Sequence, residues 1–235
     1  MIGSILKIIF VLIFTIIMAT TVLLTTLFDR TGNLFHSIAK AWAKTILKVC
    51  GVIVQVEGLE KVKFTRNYIY VSNHASQFDI PAVLAGIPDN IRIVYKKELE
   101  KIPIFGWGLK YGNTYIAIDR ERSHRALQSL ENAANKIRTG ASVLLFGEGT
   151  RSVDGKLQPF KRGPFNLALK AGVPVVPVSI KGSYNILPKH SFRIRPGTIK
   201  LILSSPIEIP SVNGKEAELI LRDKVYSVVE RNLRE

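Results

Sequence analysis

The sequence predicts an α/β fold, a mixed, largely parallel sheet flanked by helices, preceded by an N-terminal two-helix membrane anchor. Three observations predict it. From Gly51 onward short apolar runs alternate with helical patterns, the signature of a sheet covered by helices on its faces. Residues Ile8 to Phe28 carry no charge, and a helix of that length is roughly 30 Å long, about the hydrocarbon thickness of a bilayer. Next, Lys40, Lys44 and Lys48 form a stripe four residues apart beside Leu34, Ile38, Trp42 and Ile46, the pattern of a basic amphipathic helix.

The first helix reads as a membrane segment. The competing reading, a cleaved signal peptide, meets an overlong apolar region with no clear small-x-small site after it. Asp29 to Asn33 supply a turn. The second helix suits the headgroup layer of anionic lipid, or else packs as an ordinary surface helix on the domain. The hairpin either spans the bilayer with its first helix or sits in one leaflet, and an interfacial partner helix favours the leaflet. Residues 1–50 are thus expected to form the anchor and 51–235 the α/β domain.

Strands are predicted over Val52–Val56, Tyr68–Ser72, Arg92–Tyr95, Thr114–Ile118, Ser142–Phe146 and Val173–Ile180, with Ile199–Leu203 a further candidate. Between Ser123 and Arg138, Leu127, Leu130, Ala134 and Ile137 share one helical face, and Gly140 follows as a stop. A last helix is expected over Lys215–Leu233.

The chain carries 33 Lys and Arg against 18 Asp and Glu, a formal net charge of +15. Such a field favours an anionic partner: nucleic acid, acidic membrane or phosphorylated substrate. No helix-turn-helix or RNA-binding aromatic motif is present, so nucleic acid is not expected. The single cysteine, Cys50, excludes an internal disulfide and reads as a small apolar residue at a helix end. The four histidines lack metal-ligand spacing, so no metal is expected. Gly-x-Ser-x-Gly, His-Glu-x-x-His and phosphate-loop patterns are missing.

One local pattern carries chemistry: Asn73-His74-Ala75-Ser76-Gln77-Phe78-Asp79. It follows an apolar strand, and a helix beginning near Ser76 or Asp79 places Asp79 in the first turn. The carboxylate then reaches back to His74, fixing its tautomer and supporting the charge it gains on taking a proton. The N-terminal helix amides lie nearby and offer support for negative charge. Simple capping is the structural alternative. A second glycine-flanked loop, Gly147-Glu148-Gly149-Thr150-Arg151, ends a strand where α/β proteins bind ligands, and Arg151 suits a phosphate. Glu148 is anomalous there, because a carboxylate repels phosphate unless an arginine neutralises it.

In order, the chain shows the Asn-His-x-x-x-x-Asp block, then Gly112-Asn113-Thr114-Tyr115-Ile116-Ala117-Ile118-Asp119-Arg120. Phe146-Gly147-Glu148-Gly149-Thr150-Arg151-Ser152 and Val173-Pro174-Val175-Val176-Pro177-Val178-Ser179 follow. Together these resemble the glycerolipid acyltransferase family, the lysophosphatidic acid acyltransferases in particular, and the resemblance covers most of Asn67–Ile180. Glycine at 147 replaces the family's proline, which suggests a freer third loop.

The resemblance implies a general base, His74, oriented by Asp79. The resemblance further implies that the acyl group passes directly from acyl-CoA or acyl carrier protein to the sn-2 hydroxyl of 1-acyl-glycerol-3-phosphate, giving phosphatidate with no acyl-enzyme. It places Arg120, Glu148, Gly149, Thr150 and Arg151 at the acceptor, with Glu148 holding Arg151 or a glycerol hydroxyl. A structural Glu148–Arg151 ion pair, and a solvated Arg120, are the alternatives. No bound cofactor is implied; the thioester is a co-substrate. Phe105 and Trp107 are expected to line an acyl channel or the membrane-facing rim, or to pack in the core. The expected partners are lysophosphatidate and anionic membrane phospholipid, at the cell membrane with the catalytic domain facing the cytoplasm. Two other functions fit the chain: an acyltransferase for another lysophospholipid, and a non-catalytic membrane-surface lipid-binding protein.

Overall fold

The computed structural model describes residues 2–26, 28–29, 31–112, 114–118, 123–138, 140–212 and 214–235, with 123–130 described by backbone alone. Seven strands form one sheet in the order β1 (Val52–Glu57), β7 (Gly197–Leu203), β6 (Val175–Lys181), β2 (Ile69–Ser72), β5 (Ser142–Phe146), β3 (Ile91–Lys96), β4 (Ile116–Ile118). Five strands run parallel, while β1 and β7, parallel to each other, run the opposite way through the antiparallel β6–β7 pairing. The sheet is therefore mixed and largely parallel. Strand β2 is buried along its whole length, and such strands read as unbroken apolar runs, not as alternation.

Helices α2 (Asn33–Cys50) and α3 (Asp79–Gly86) pack on one face, with α1 (Ile2–Thr25) and α4 (Phe105–Gly112) outside them. Helices α5 (Ser123–Arg138), α6 (Gly163–Ala171) and α8 (Gly214–Arg234) cover the other. A short helix, α7 (Ser183–Ile186), follows β6. Helix α3 carries the chain from β2 past β5 to β3, and α6 carries it from β5 past β2 to β6 on the opposite face. Neighbouring strands whose connections leave to opposite faces open a crevice at their carboxyl ends.

Helix α1 has the length and composition to cross a membrane, and one side of it is docked. Ile8, Val11 and Phe14 pack against the core, and Ala19 and Val22 are buried. Residues between them, such as Ile9, Leu12, Ile13, Ile16 and Ile17, are exposed. Both sides are apolar, so the outward one is a patch of a kind water-soluble surfaces rarely carry. Helix α4 approaches closely through glycine: a β-carbon at Gly112 would lie 2.6 Å from the Phe35 ring. The amphipathic second helix is not free of the domain. Ala43, Ile46, Leu47 and Cys50 belong to the core, and the indole of Trp42 donates to Thr15 of α1 at 3.0 Å.

Candidate active site

Asp79 opens α3, so its carboxylate faces back towards the loop that leaves β2. All described hydrogen bonds to the carboxylate converge on Oδ2: His74 Nδ1 at 2.7 Å, the Ala75 amide at 2.8 Å and the Ser76 amide at 2.9 Å. Asp79 is 0% exposed. An oxygen that accepts from two backbone amides has no hydrogen to give, so in this contact Nδ1 is the donor and Nε2 is the nitrogen left open. The Ala75 and Ser76 amides belong to the loop before α3 and are committed to Asp79.

The imidazole lies flat on Phe146, ring centroids 3.6 Å apart and planes within 12°. Its backbone is held just as firmly: the His74 amide donates to Glu148 Oε1 at 2.6 Å, and the His74 carbonyl accepts from the Ser152 amide at 2.8 Å. Register explains the meeting. Ser72 pairs with Phe146 in the parallel β2–β5 ladder, so two residues further along each strand bring His74 and Glu148 side by side. Asn73 fastens the other flank, donating to the Ile180 carbonyl at 2.9 Å and accepting its amide at 2.8 Å.

Glu148 is 3% exposed, and its second oxygen accepts the Gln158 amide at 3.1 Å. Burial pushes its carboxyl up to about 7; the two amides oppose that shift, while the charges of Asp79 and Asp154 add to it. Among the described residues Glu148 makes no ion pair with Arg151. Its carboxylate instead ties the His74 loop to the loop after β5. Gly147 is pinned too: its amide donates to Ser72 at 2.8 Å and its carbonyl accepts from Lys161 at 2.8 Å, with the Phe160 ring where a β-carbon would sit. The third loop is not freer for lacking proline, since the glycine amide extends the β2–β5 ladder. Gly149 turns the loop at φ +72°, a left-handed conformation that favours glycine.

Arg151 and His74 share a cavity of about 480 Å³ that runs between α1, α2, α3 and α4. Its walls are almost wholly apolar and include Val11, Ala39, Trp42, Leu84 and Phe105. It follows α1 from Ile8 to Val22, about 21 Å of helix. Thus the structure brings His74, Asp79, Glu148 and Arg151 to one crevice. Thr150 is exposed on the same loop, and Gly149 is half-buried. Arg120 lies outside the described residues. Phe105 lines the cavity, whereas Trp107 is exposed. Sequence reasoning assigned no role to Phe146 or the Gln158 amide; Phe146's place at the end of a buried strand, directly before the glycine loop, was the available signal.

A histidine held by a buried carboxylate thus lies at the mouth of an apolar slot whose length and walls suit an acyl or alkyl chain. The comparisons with known proteins agree. The acyltransferase family model matches residues 53–181, and the chain belongs to that family. The crystal structure of the 1-acyl-sn-glycerophosphate acyltransferase PlsC from Thermotoga maritima is similar with a TM-score of 0.82 and 30% identity, covering 99% of this chain and 94% of that one. A chloroplastic 1-acyl-sn-glycerol-3-phosphate acyltransferase of Brassica napus is 33% identical over 207 residues, 87% of this chain and 58% of that protein. Its counterpart in Arabidopsis thaliana is 33% identical across 87% of this chain and 56% of its own length. The chain spans less than two thirds of these plant relatives.

Proposed function

We propose that this protein transfers a fatty acyl group from an acyl thioester, carried by coenzyme A or acyl carrier protein, to the sn-2 hydroxyl of 1-acyl-glycerol-3-phosphate, giving phosphatidate. One observation carries the reading: His74, held through Nδ1 by Asp79 at 2.7 Å, shares an apolar cavity with Arg151. The similarity to enzymes named for this reaction supports it.

In this reading His74 Nε2 takes the hydroxyl proton as the oxygen attacks the thioester carbonyl. The resulting oxyanion collapses, the carbon–sulfur bond breaks, and the thiolate recovers the proton from Nε2. Asp79 supports the imidazolium in between. Transfer is direct, with no acyl-enzyme, and the step balances with no cofactor beyond the thioester. Arg151, with Arg120 by family analogy, pairs with the acceptor phosphate through parallel hydrogen bonds. The cavity takes an acyl chain lengthwise along α1. The outward face of α1 lies in one leaflet, and the basic surface meets anionic lipid on the cytoplasmic side of the cell membrane.

The test is purified His74→Ala, assayed with lysophosphatidate and both thioester classes. Transfer is expected to vanish while the variant stays folded; near-normal transfer rejects the assignment. Glycerol 3-phosphate and zwitterionic lysolipids assayed beside lysophosphatidate decide the acceptor.

A further inference from the structure

We infer that the loop joining α7 to β7 is a second lipid-contacting element, which sets the mouth of the cavity against the surface of an anionic phospholipid bilayer. Residues 187–196 contain Lys189, His190, Arg193 and Arg195 and no acidic residue. At their centre Phe192 is 81% exposed. A bare aromatic ring among cations is the chemistry of an interfacial contact, the ring entering the acyl boundary and the cations meeting lipid phosphates.

This exposure belongs to an ordered loop. The Arg195 amide donates to Ile186 at 3.0 Å, and the Ser191 amide to Pro188 at 3.1 Å. Ser76 Oγ, in the catalytic loop, donates to the Leu187 carbonyl at 2.9 Å. His190 holds φ +67°, a conformation that side chains with a β-carbon disfavour and that only surrounding structure maintains.

Position argues for lipid over an acidic protein. Leu187 and Ile194 are buried in the wall of the cavity that holds His74. Lys189 Nζ donates to the carbonyl of Arg151 at 3.2 Å, and Ser4 Oγ, in the first turn of α1, donates to the Ile194 carbonyl at 3.3 Å. The loop thus bridges the crevice and the start of the apolar helix. A lysolipid can pass from the leaflet to His74 there without crossing water. This role rests on the proposal that the acceptor is a bilayer lipid.

The experiment labels full-length Cys50→Ala/Phe192→Cys with an environment-sensitive fluorophore on vesicles of phosphatidylcholine and phosphatidylglycerol, some carrying a shallow nitroxide lipid. The same label at Leu219→Cys on α8 is the reference. Blue-shifted, quenched emission at 192 but not at 219 is expected. Solvent-like, unquenched emission at 192 on vesicles that bind the protein overturns the inference. Shielding that comes only with added acyl carrier protein overturns it too, and reassigns the loop to an acidic protein.

In the native Cys50 background, Phe192→Glu is expected to lower kcat/KM for long-chain lysophosphatidate in vesicles about tenfold. A short-chain, monomerically dissolved lysophosphatidate should be turned over as by the unsubstituted protein; equal losses on both overturn the inference. Should the unsubstituted protein transfer no acyl group, the proposed activity fails while the fluorescence result stands alone.

Discussion

Replacing Asp79 by asparagine separates the charge at this site from its geometry. The Ala75 and Ser76 amides at 2.8 and 2.9 Å require an oxygen at the Oδ2 position, so the asparagine carbonyl takes it and still accepts from His74 Nδ1. The amide NH2 then falls at Oδ1, which has no partner among the described residues, at a cost of about 1–3 kcal/mol in stability. The negative charge is lost. At an effective dielectric constant of about 20, a carboxylate roughly 4 Å from a full imidazolium charge is worth about 4 kcal/mol. That energy is present only once His74 has taken the proton, so it appears in kcat as a loss of about 10³-fold. The assay is thioester-dependent phosphatidate formation alongside the melting temperature of the same preparation. A folded variant that loses less than tenfold in kcat would show that Asp79 only braces the loop. Asp79→Ala is the structural counterpart: two buried amides lose their acceptor, at about 1–3 kcal/mol each, and the melting temperature falls with the activity.

The carboxyl of Glu148 is raised from an ordinary 4.5 to about 7 by burial. The folded protein therefore keeps a proton the unfolded chain has released, and this residue's contribution to stability falls as pH climbs from about 4.5 to about 7, then levels off. Subtracting the melting temperatures of Glu148→Gln from those of the native chain across that range should isolate this slope; a flat difference would contradict the raised carboxyl. Gly147→Pro, which installs the residue common in the family, removes the amide bonded to Ser72 and presses on Phe160. We expect a loss of about 2–4 kcal/mol, seen as a drop in melting temperature of roughly 5–15 °C; an unchanged melting temperature would show that this loop relaxes. Ala39→Phe fills part of the cavity wall, so donor competition should shift towards shorter acyl chains. Unchanged preference would mean that the acyl chain lies elsewhere.

Much of this is legible in the sequence. Strand β6 was expected at Val173–Ile180 and runs Val175–Lys181. Strand β4 was expected from Thr114 and begins at Ile116. The last helix was expected over Lys215–Leu233 and runs Gly214–Arg234. Such features lie within a few residues of one another, where apolar period, glycine stops and capping act. The His74–Asp79 contact is readable for the same reason: the two residues are five apart, between the end of a strand and the first turn of a helix.

The partners of Glu148 were not readable. Glu148 lies 74 residues from His74, and it meets that amide, not Arg151, because β2 lies beside β5 with Ser72 opposite Phe146. The cavity is still less local, since α1, α2, α3 and α4 each supply a wall and none carries a pattern distinguishing a slot from ordinary core packing. Local spacing alone determined the elements and the His74–Asp79 contact. Sheet order and register, set by the burial of both faces at once, decided which distant loops share the crevice and what space is left between the helices.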